Sequence, residues 1–85
     1  MDESKQKTLY ALGYLVRQRR TELGISQEEL GLRANLDRTY ISGVERGVRN
    51  PSLTALVSLG DGLGISVSVL LIGLEAEVNT HNEKK

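Results

Sequence analysis

Apolar side chains recur at helical spacing near the start of the chain. The first series predicts a helix from Thr8 to Gly24, because a glycine in the left-handed conformation commonly follows the last helical residue. Its apolar members are Leu9, Leu12, Val16 and Leu23. The residues before it are polar, and we expect residues 1–7 to form a flexible N-terminal tail.

Three further helices are predicted from the residues that begin and end them. A serine or aspartate before an apolar series can accept a hydrogen bond from a free backbone amide of the first turn. The predicted caps are Ser26, Asp37 and Ser52, and the glycines Gly47 and Gly64 are the predicted ends of the third and fourth helices. Ser26 and Glu29 also have the spacing of a capping box.

The segment from Ile65 to Leu71 alternates apolar residues with serine, a pattern typical of a strand. Ser66 is nevertheless a good helix cap, and a single strand would have no partner among four helices. We therefore predict a short fifth helix here, and a flexible C-terminal tail over residues 75–85. The expected fold is all-α, with five short helices in one domain over residues 8–74.

Composition narrows the possible functions. The 85 residues include no cysteine and a single histidine, so we expect no metal site, no cofactor, no small-molecule substrate and no enzymatic activity. The chain has no N-terminal apolar run, and we expect a cytoplasmic protein that does not enter the membrane. The net charge is zero, but all seven arginines lie between residues 17 and 49. A polyanionic partner is therefore compatible with this charge distribution.

The second and third predicted helices have the length and spacing of a helix-turn-helix. Gly31 is small enough to let the two helices approach, and Leu36 is an apolar anchor for the turn. Ile41 and Val44 would face the core. The residues left on the outer face of the third helix are Arg38, Thr39, Ser42 and Arg46.

That outer face suits the major groove of DNA. Arginine can donate two hydrogen bonds to guanine, threonine offers a hydroxyl and a methyl group, and Ser42 and Gly43 are small enough for a close approach to the bases. Gln27 would combine an amide with the start of a helix, which suits a phosphate. Arg49 and Asn50 follow the third helix and are also placed for the DNA backbone.

The stretch SQEELGLRANLDRTYISGVERGVRNPSLTAL resembles the helix-turn-helix of phage-repressor-like (XRE-type) transcription regulators. Within that family, NLDRTYISGVERGVRNPS is most similar to the controller proteins of restriction–modification systems, which are small homodimeric regulators. The resemblance implies the lambda-repressor-like fold and binding to double-stranded operator DNA, as a homodimer and, in some assemblies, as a cooperative tetramer. A phage repressor or an antitoxin-type regulator is the alternative function.

The resemblance also implies roles for individual residues. Arg38, Thr39 and Ser42 would face bases, and a second group would face mostly phosphates. That second group is Gln27, Tyr40, Arg46, Arg49 and Asn50. An ion pair between Arg20 and Glu45 would join the ends of the first and third helices. The protein would be bacterial and associated with the nucleoid when bound.

Plainer alternatives stay open from the residues themselves: Gln27 could be an ordinary helix residue, and Thr39 and Ser42 could be tolerated surface residues. The arginines of the third helix could form an ordinary solvated face, and Tyr40 could be a packing residue. The C-terminal apolar segment could be a core helix, but it has more apolar groups than one side of a short helix can bury. We therefore predict a dimerisation surface formed by Val67, Leu70, Leu71 and Leu74.

Overall fold

The computed structural model describes residues 3–83, with the side chains of residues 3–79. Six helices follow one another, and this range contains no strand. Their bounds are α1 Glu3–Glu22, α2 Gln27–Ala34, α3 Arg38–Glu45, α4 Leu53–Leu63, α5 Val67–Leu70 and α6 Leu74–Glu83. The all-α architecture and the five expected helices are confirmed, and α6 is an additional helix.

One aliphatic core joins the first five helices. Its buried members are Leu12, Val16, Leu30, Ile41, Val44, Leu59, Leu63 and Leu70. Leu23, expected among the apolar residues of α1, is instead 48% exposed, because α1 ends one residue before it. The core therefore depends on leucine, isoleucine and valine side chains packed along helical stripes.

The serine caps are confirmed and the aspartate cap is not. The side-chain oxygens of Ser26, Ser52 and Ser66 each accept a hydrogen bond from the backbone amide three residues later, at 3.0 to 3.1 Å. Asp37 occupies the capping position of α3 with extended backbone angles, but its side chain makes no capping hydrogen bond. The acceptor role predicted for the Asp37 carboxylate is therefore wrong, although the helix begins where expected.

The predicted stops are confirmed by backbone geometry. Gly24, Gly47 and Gly64 all have a positive φ, between 71° and 74°. A side chain at such angles would be strained, so these glycines allow the chain to leave each helix sharply. The turns that follow α1, α3 and α4 are thus determined by single glycine residues.

Both terminal segments were predicted incorrectly as flexible tails. Residues 3–7 belong to α1, where Glu3 and Lys7 form an ion pair and the Gln6 amide donates to the carbonyl of Gly47 at 2.9 Å. Residues 75–83 belong to α6, which packs against α1. Neither terminal segment has a strong apolar pattern of its own, and its contacts with distant parts of the chain account for the error. The outer parts of both expected tails, residues 1–2 and 84–85, lie outside the described residues.

Within the described chain, no single helix is long and apolar enough to cross a membrane. Residues 53–63 and 67–79 reach that length and composition only as a pair, with a bend of 87° between them.

Candidate nucleic-acid interface

The turn between α2 and α3 sets the angle at which α3 is presented. Asn35 takes the left-handed conformation with φ of 57°, and the amide of Leu36 donates to the carbonyl of Gly31 at 2.9 Å. A Cβ atom at Gly31 would lie 2.6 Å from the Leu36 carbonyl oxygen, so only glycine permits this turn. Leu36 packs against the core as expected. The predicted helix-turn-helix is therefore present.

The α3 helix is divided between a buried side and an exposed side. Ile41 and Val44 are fully buried against the core. Arg38, Thr39 and Arg46 are exposed, and Ser42 is half-buried. Arg38, Ser42 and Arg46 follow one another at four-residue spacing, so they form one row along the helix. The four residues predicted for the outer face therefore lie on the side of α3 that is not packed against the core.

Within this row, two side chains are already in contact. The Nε of Arg46 donates to the hydroxyl of Ser42 at 3.2 Å. Arg38, by contrast, makes no ion pair or hydrogen bond with another side chain in the described part of the protein. The N-terminal end of α3 therefore presents a guanidinium whose donors are available to a ligand.

The loop after α3 folds back onto the helix. The carbonyl of Gly43 accepts hydrogen bonds from the amides of both Val48 and Arg49, at 3.0 and 3.2 Å. The Arg49 guanidinium carbon lies 4.8 Å from the centroid of the Tyr40 ring, within the range of a cation–π contact. Asn50 is exposed and lies near Ser4, Lys5 and Thr8 of α1. The loop thus places Arg49, a predicted phosphate ligand, next to α3.

Gly43 has a different role from the one expected. It is buried, and a Cβ atom there would lie 3.3 Å from the Cβ of Arg49. Its small size makes room for the returning loop, so the prediction that Gly43 allows a close approach to bases is wrong.

An ion pair between Arg20 and Glu45 connects the end of α1 to the end of α3, as predicted. Two guanidinium nitrogens of Arg20 donate to the two carboxylate oxygens at 2.7 and 3.0 Å, and its third donates to the carbonyl of Ile25 at 2.9 Å. The side chains are 13% and 4% exposed. Hydrogen bonding to Glu45 raises the pKa of Arg20 above its ordinary value, so the guanidinium stays charged.

The sequence did not show that Gln27 would join this pair. Its side-chain nitrogen donates to Glu45 at 3.1 Å. The Gln27 side chain is half-buried, and its amide group carries a second N–H that could reach a phosphate. The hydrogen bond to Glu45 thus orients the Gln27 side chain, which is predicted to contact a phosphate.

The predicted dimerisation residues do not form one exposed surface. Leu70 is 1% exposed and belongs to the core, so its prediction as a surface residue is wrong. Val67, Leu71 and Leu74 are half-buried, and the last two pack against the core. Ile72 lies between them at 68% exposure. It lies in the turn that leads from α5 to α6.

Among the described residues, no group of three or more histidine, cysteine, aspartate or glutamate side chains is arranged to hold a metal ion.

Residues 16–70 match the helix-turn-helix family HTH_3, and this range contains α2 to α5. The chain belongs to this family. The match begins in the middle of α1 and includes every residue predicted to contact DNA.

Three relatives show which members the chain is similar to. The control protein C.MunI from Mycoplasma sp is 42% identical over 59 residues, which are 69% of this chain and 80% of that protein. The immunity repressor protein of Bacillus phage phi105 is 36% identical over 80 residues, 86% of this chain but only 55% of the repressor. The restriction–modification controller protein C.Esp1396I, solved as a tetramer with its natural 35 base-pair operator, superposes with a TM-score of 0.77. It is 38% identical, and the match covers 85% of this chain and 95% of that one.

Proposed function

We propose that this protein is a sequence-specific DNA-binding transcription regulator, the controller protein of a restriction–modification system. The observation that supports it most is the row of Arg38, Ser42 and Arg46 on a helix whose opposite side is buried. The likeness to C.MunI and to the C.Esp1396I–operator complex supports the same function.

In this proposal Arg38, Thr39 and Ser42 read base edges in the major groove. Arg38 suits this role best, because its guanidinium has no protein partner among the described residues and can donate two hydrogen bonds to one guanine. Phosphate contacts fix the position of the helix without reading sequence. They are assigned to Gln27, Tyr40, Arg46, Arg49 and Asn50.

We propose that the protein binds DNA as a homodimer. Two recognition helices related by a twofold axis can enter successive major grooves, ~34 Å apart, on a pseudo-palindromic operator. The dimerisation surface is the apolar region around α5, with Val67, Leu71 and Leu74 as first proposed and the exposed Ile72 added to them. A tetramer on the operator is proposed by analogy with C.Esp1396I. We propose that the protein acts in the bacterial cytoplasm. We assign it no enzymatic role.

A phage-type repressor is the second candidate, because the phi105 immunity repressor aligns with 86% of the chain. The two functions use the same DNA-binding domain and differ in their gene context. Methyltransferase and endonuclease genes beside this one would support a controller, whereas genes of a prophage would support a repressor.

An electrophoretic mobility-shift series tests DNA binding directly. The purified chain is titrated into the duplex immediately upstream of its own gene and into a shuffled duplex of equal length and composition, at several salt concentrations. We expect tighter binding to the upstream duplex and weaker binding to both as salt rises. Equal binding to the two duplexes would contradict a sequence-specific function.

A further inference from the structure

The Arg49 side chain lies against two residues of α3, one near its stem and one near its guanidinium. Tyr40 and Gly43 are three residues apart, so they are neighbours on the surface of the helix. The Tyr40 ring lies under the guanidinium at 4.8 Å. The absent side chain of Gly43 leaves the space that the Arg49 stem fills, because a Cβ atom there would be 3.3 Å from Cβ and 3.7 Å from Nε of Arg49.

The backbone of the same loop is fixed as well. The Gly43 carbonyl accepts the amides of Val48 and Arg49, so the residue that makes room for the side chain also anchors its main chain. Arg49 makes no ion pair or hydrogen bond through its guanidinium within the described part of the chain. The guanidinium carbon lies over the Tyr40 ring. An arginine that contacts an aromatic ring in this way can still donate its N–H groups to another acceptor.

We propose that Tyr40 and Gly43 are positioning residues that hold the Arg49 guanidinium beside the recognition helix in the orientation that binds a DNA phosphate. This rests on the proposed DNA-binding function and gives Tyr40 a role beyond a direct phosphate contact of its own. An arginine ordered before binding loses less side-chain entropy when it meets the phosphate. The residue that benefits is in a loop, and loop arginines are otherwise free to adopt many rotamers.

The first measurement is made on the free protein, without DNA. The Tyr40 ring should shift the NMR resonances of the Arg49 δ-methylene protons upfield. We expect that shift to persist in Tyr40→Phe, which keeps the ring, and to disappear in Tyr40→Leu. Gly43→Ala should also reduce it, because the added methyl displaces the arginine stem. An unchanged Arg49 spectrum in Tyr40→Leu would overturn the proposal.

The second measurement asks what the positioned arginine contributes to binding. Affinity for a shuffled duplex is measured for Arg49→Gln in three backgrounds: wild type, Tyr40→Phe and Tyr40→Leu. In the first two, Arg49→Gln should lower the salt slope by about 0.9, the value for one phosphate contact. In the Tyr40→Leu background the effect of Arg49→Gln on affinity should be about two- to fivefold smaller, the factor set by an exposed cation–π contact.

Arg33→Gln is the matched charge control, since it removes an exposed arginine that pairs with Glu29 at 3.0 Å on α2. The effect of Arg33→Gln on affinity for the shuffled duplex should be the same in all three backgrounds. An Arg49→Gln effect that is also the same in all three would overturn the positioning role. If the wild-type chain binds neither duplex, the proposed function is wrong, and the Arg49 resonances still decide whether Tyr40 and Gly43 hold the guanidinium.

Discussion

Arg20 at the end of α1 and Glu45 at the end of α3 are joined by two parallel hydrogen bonds of 2.7 and 3.0 Å. The same carboxylate accepts the side chain of Gln27 at the start of α2. A single, nearly buried carboxylate therefore sets the relative positions of the two helices of the helix-turn-helix and of the helix that supports them. The orientation of the outer face of α3 depends on this contact.

Loss of one partner of this pair should destabilise the fold strongly. Arg20→Met leaves the buried Glu45 carboxylate without its counter-ion, and we expect the free energy of unfolding to fall by about 3 kcal/mol. Urea denaturation followed by circular dichroism measures it. Arg33→Met, at an exposed pair, should change it by less than about 1 kcal/mol. Equal losses in the two variants would show that the Arg20–Glu45 pair has no special structural role.

Gly13 should not tolerate a side chain, although it lies inside a helix. A Cβ atom there would be 2.5 Å from the Glu45 carbonyl oxygen and 2.6 Å from that of Val44. Gly13→Ala should therefore separate α1 from α3 and lower the melting temperature, despite the gain of about 1 kcal/mol in helix propensity. Gln18→Ala, at an exposed position of α1, should leave it nearly unchanged. A more stable Gly13→Ala protein would contradict the close contact between these helices.

Arg38 and Arg49 should differ in what they contribute to DNA binding. Arg38→Ala should cost about 1–3 kcal/mol on the preferred operator and relax its sequence preference, because a base contact is lost. Arg49→Ala should weaken binding to all duplexes alike and flatten the salt dependence. Competition binding with operator variants at two salt concentrations separates the two effects. The division into base and phosphate contacts is refuted if both variants behave alike.

Ile72 should contribute to self-association. It is 68% exposed in the turn between α5 and α6, and a charge there would be buried in a dimer contact. Ile72→Glu should shift the protein from dimer to monomer in sedimentation velocity and should weaken operator binding with it. Leu53→Glu, at an equally exposed leucine at the start of α4, serves as the control and should remain dimeric. If the Ile72→Glu protein remained dimeric, the dimer interface would have to lie elsewhere on the protein.

The sequence predicted those features that depend on a few neighbouring residues. Helices begin after Ser26 and Ser52 because a serine side chain accepts a nearby backbone amide. They end at glycines because glycine adopts a positive φ. Both effects depend only on short segments. The helix-turn-helix followed from the length and spacing of two predicted helices, whereas the Arg20–Glu45 pair was reached through the family resemblance. The outer face of α3 was predicted once Ile41 and Val44 had been assigned to the core.

The features that were missed depend on contacts between distant segments. The start of α1 is helical where it packs near Gly47, and α6 forms against α1, although neither segment has a strong apolar pattern of its own. Leu70 points into the core because α5 is a single turn whose orientation is set by α4. The space beside Gly43 is occupied by a loop that returns along the helix, which residue spacing alone does not reveal.

Nuclease footprinting of the DNA upstream of this protein's own gene tests the central proposal most directly. We predict protection of a pseudo-palindromic site whose two half-sites are centred ~34 Å apart along the duplex, with the protection lost in Arg38→Ala at unchanged protein concentration. Absence of any protected site with the folded wild-type chain at modest salt would contradict the proposal that this helix-turn-helix protein regulates its own restriction–modification genes.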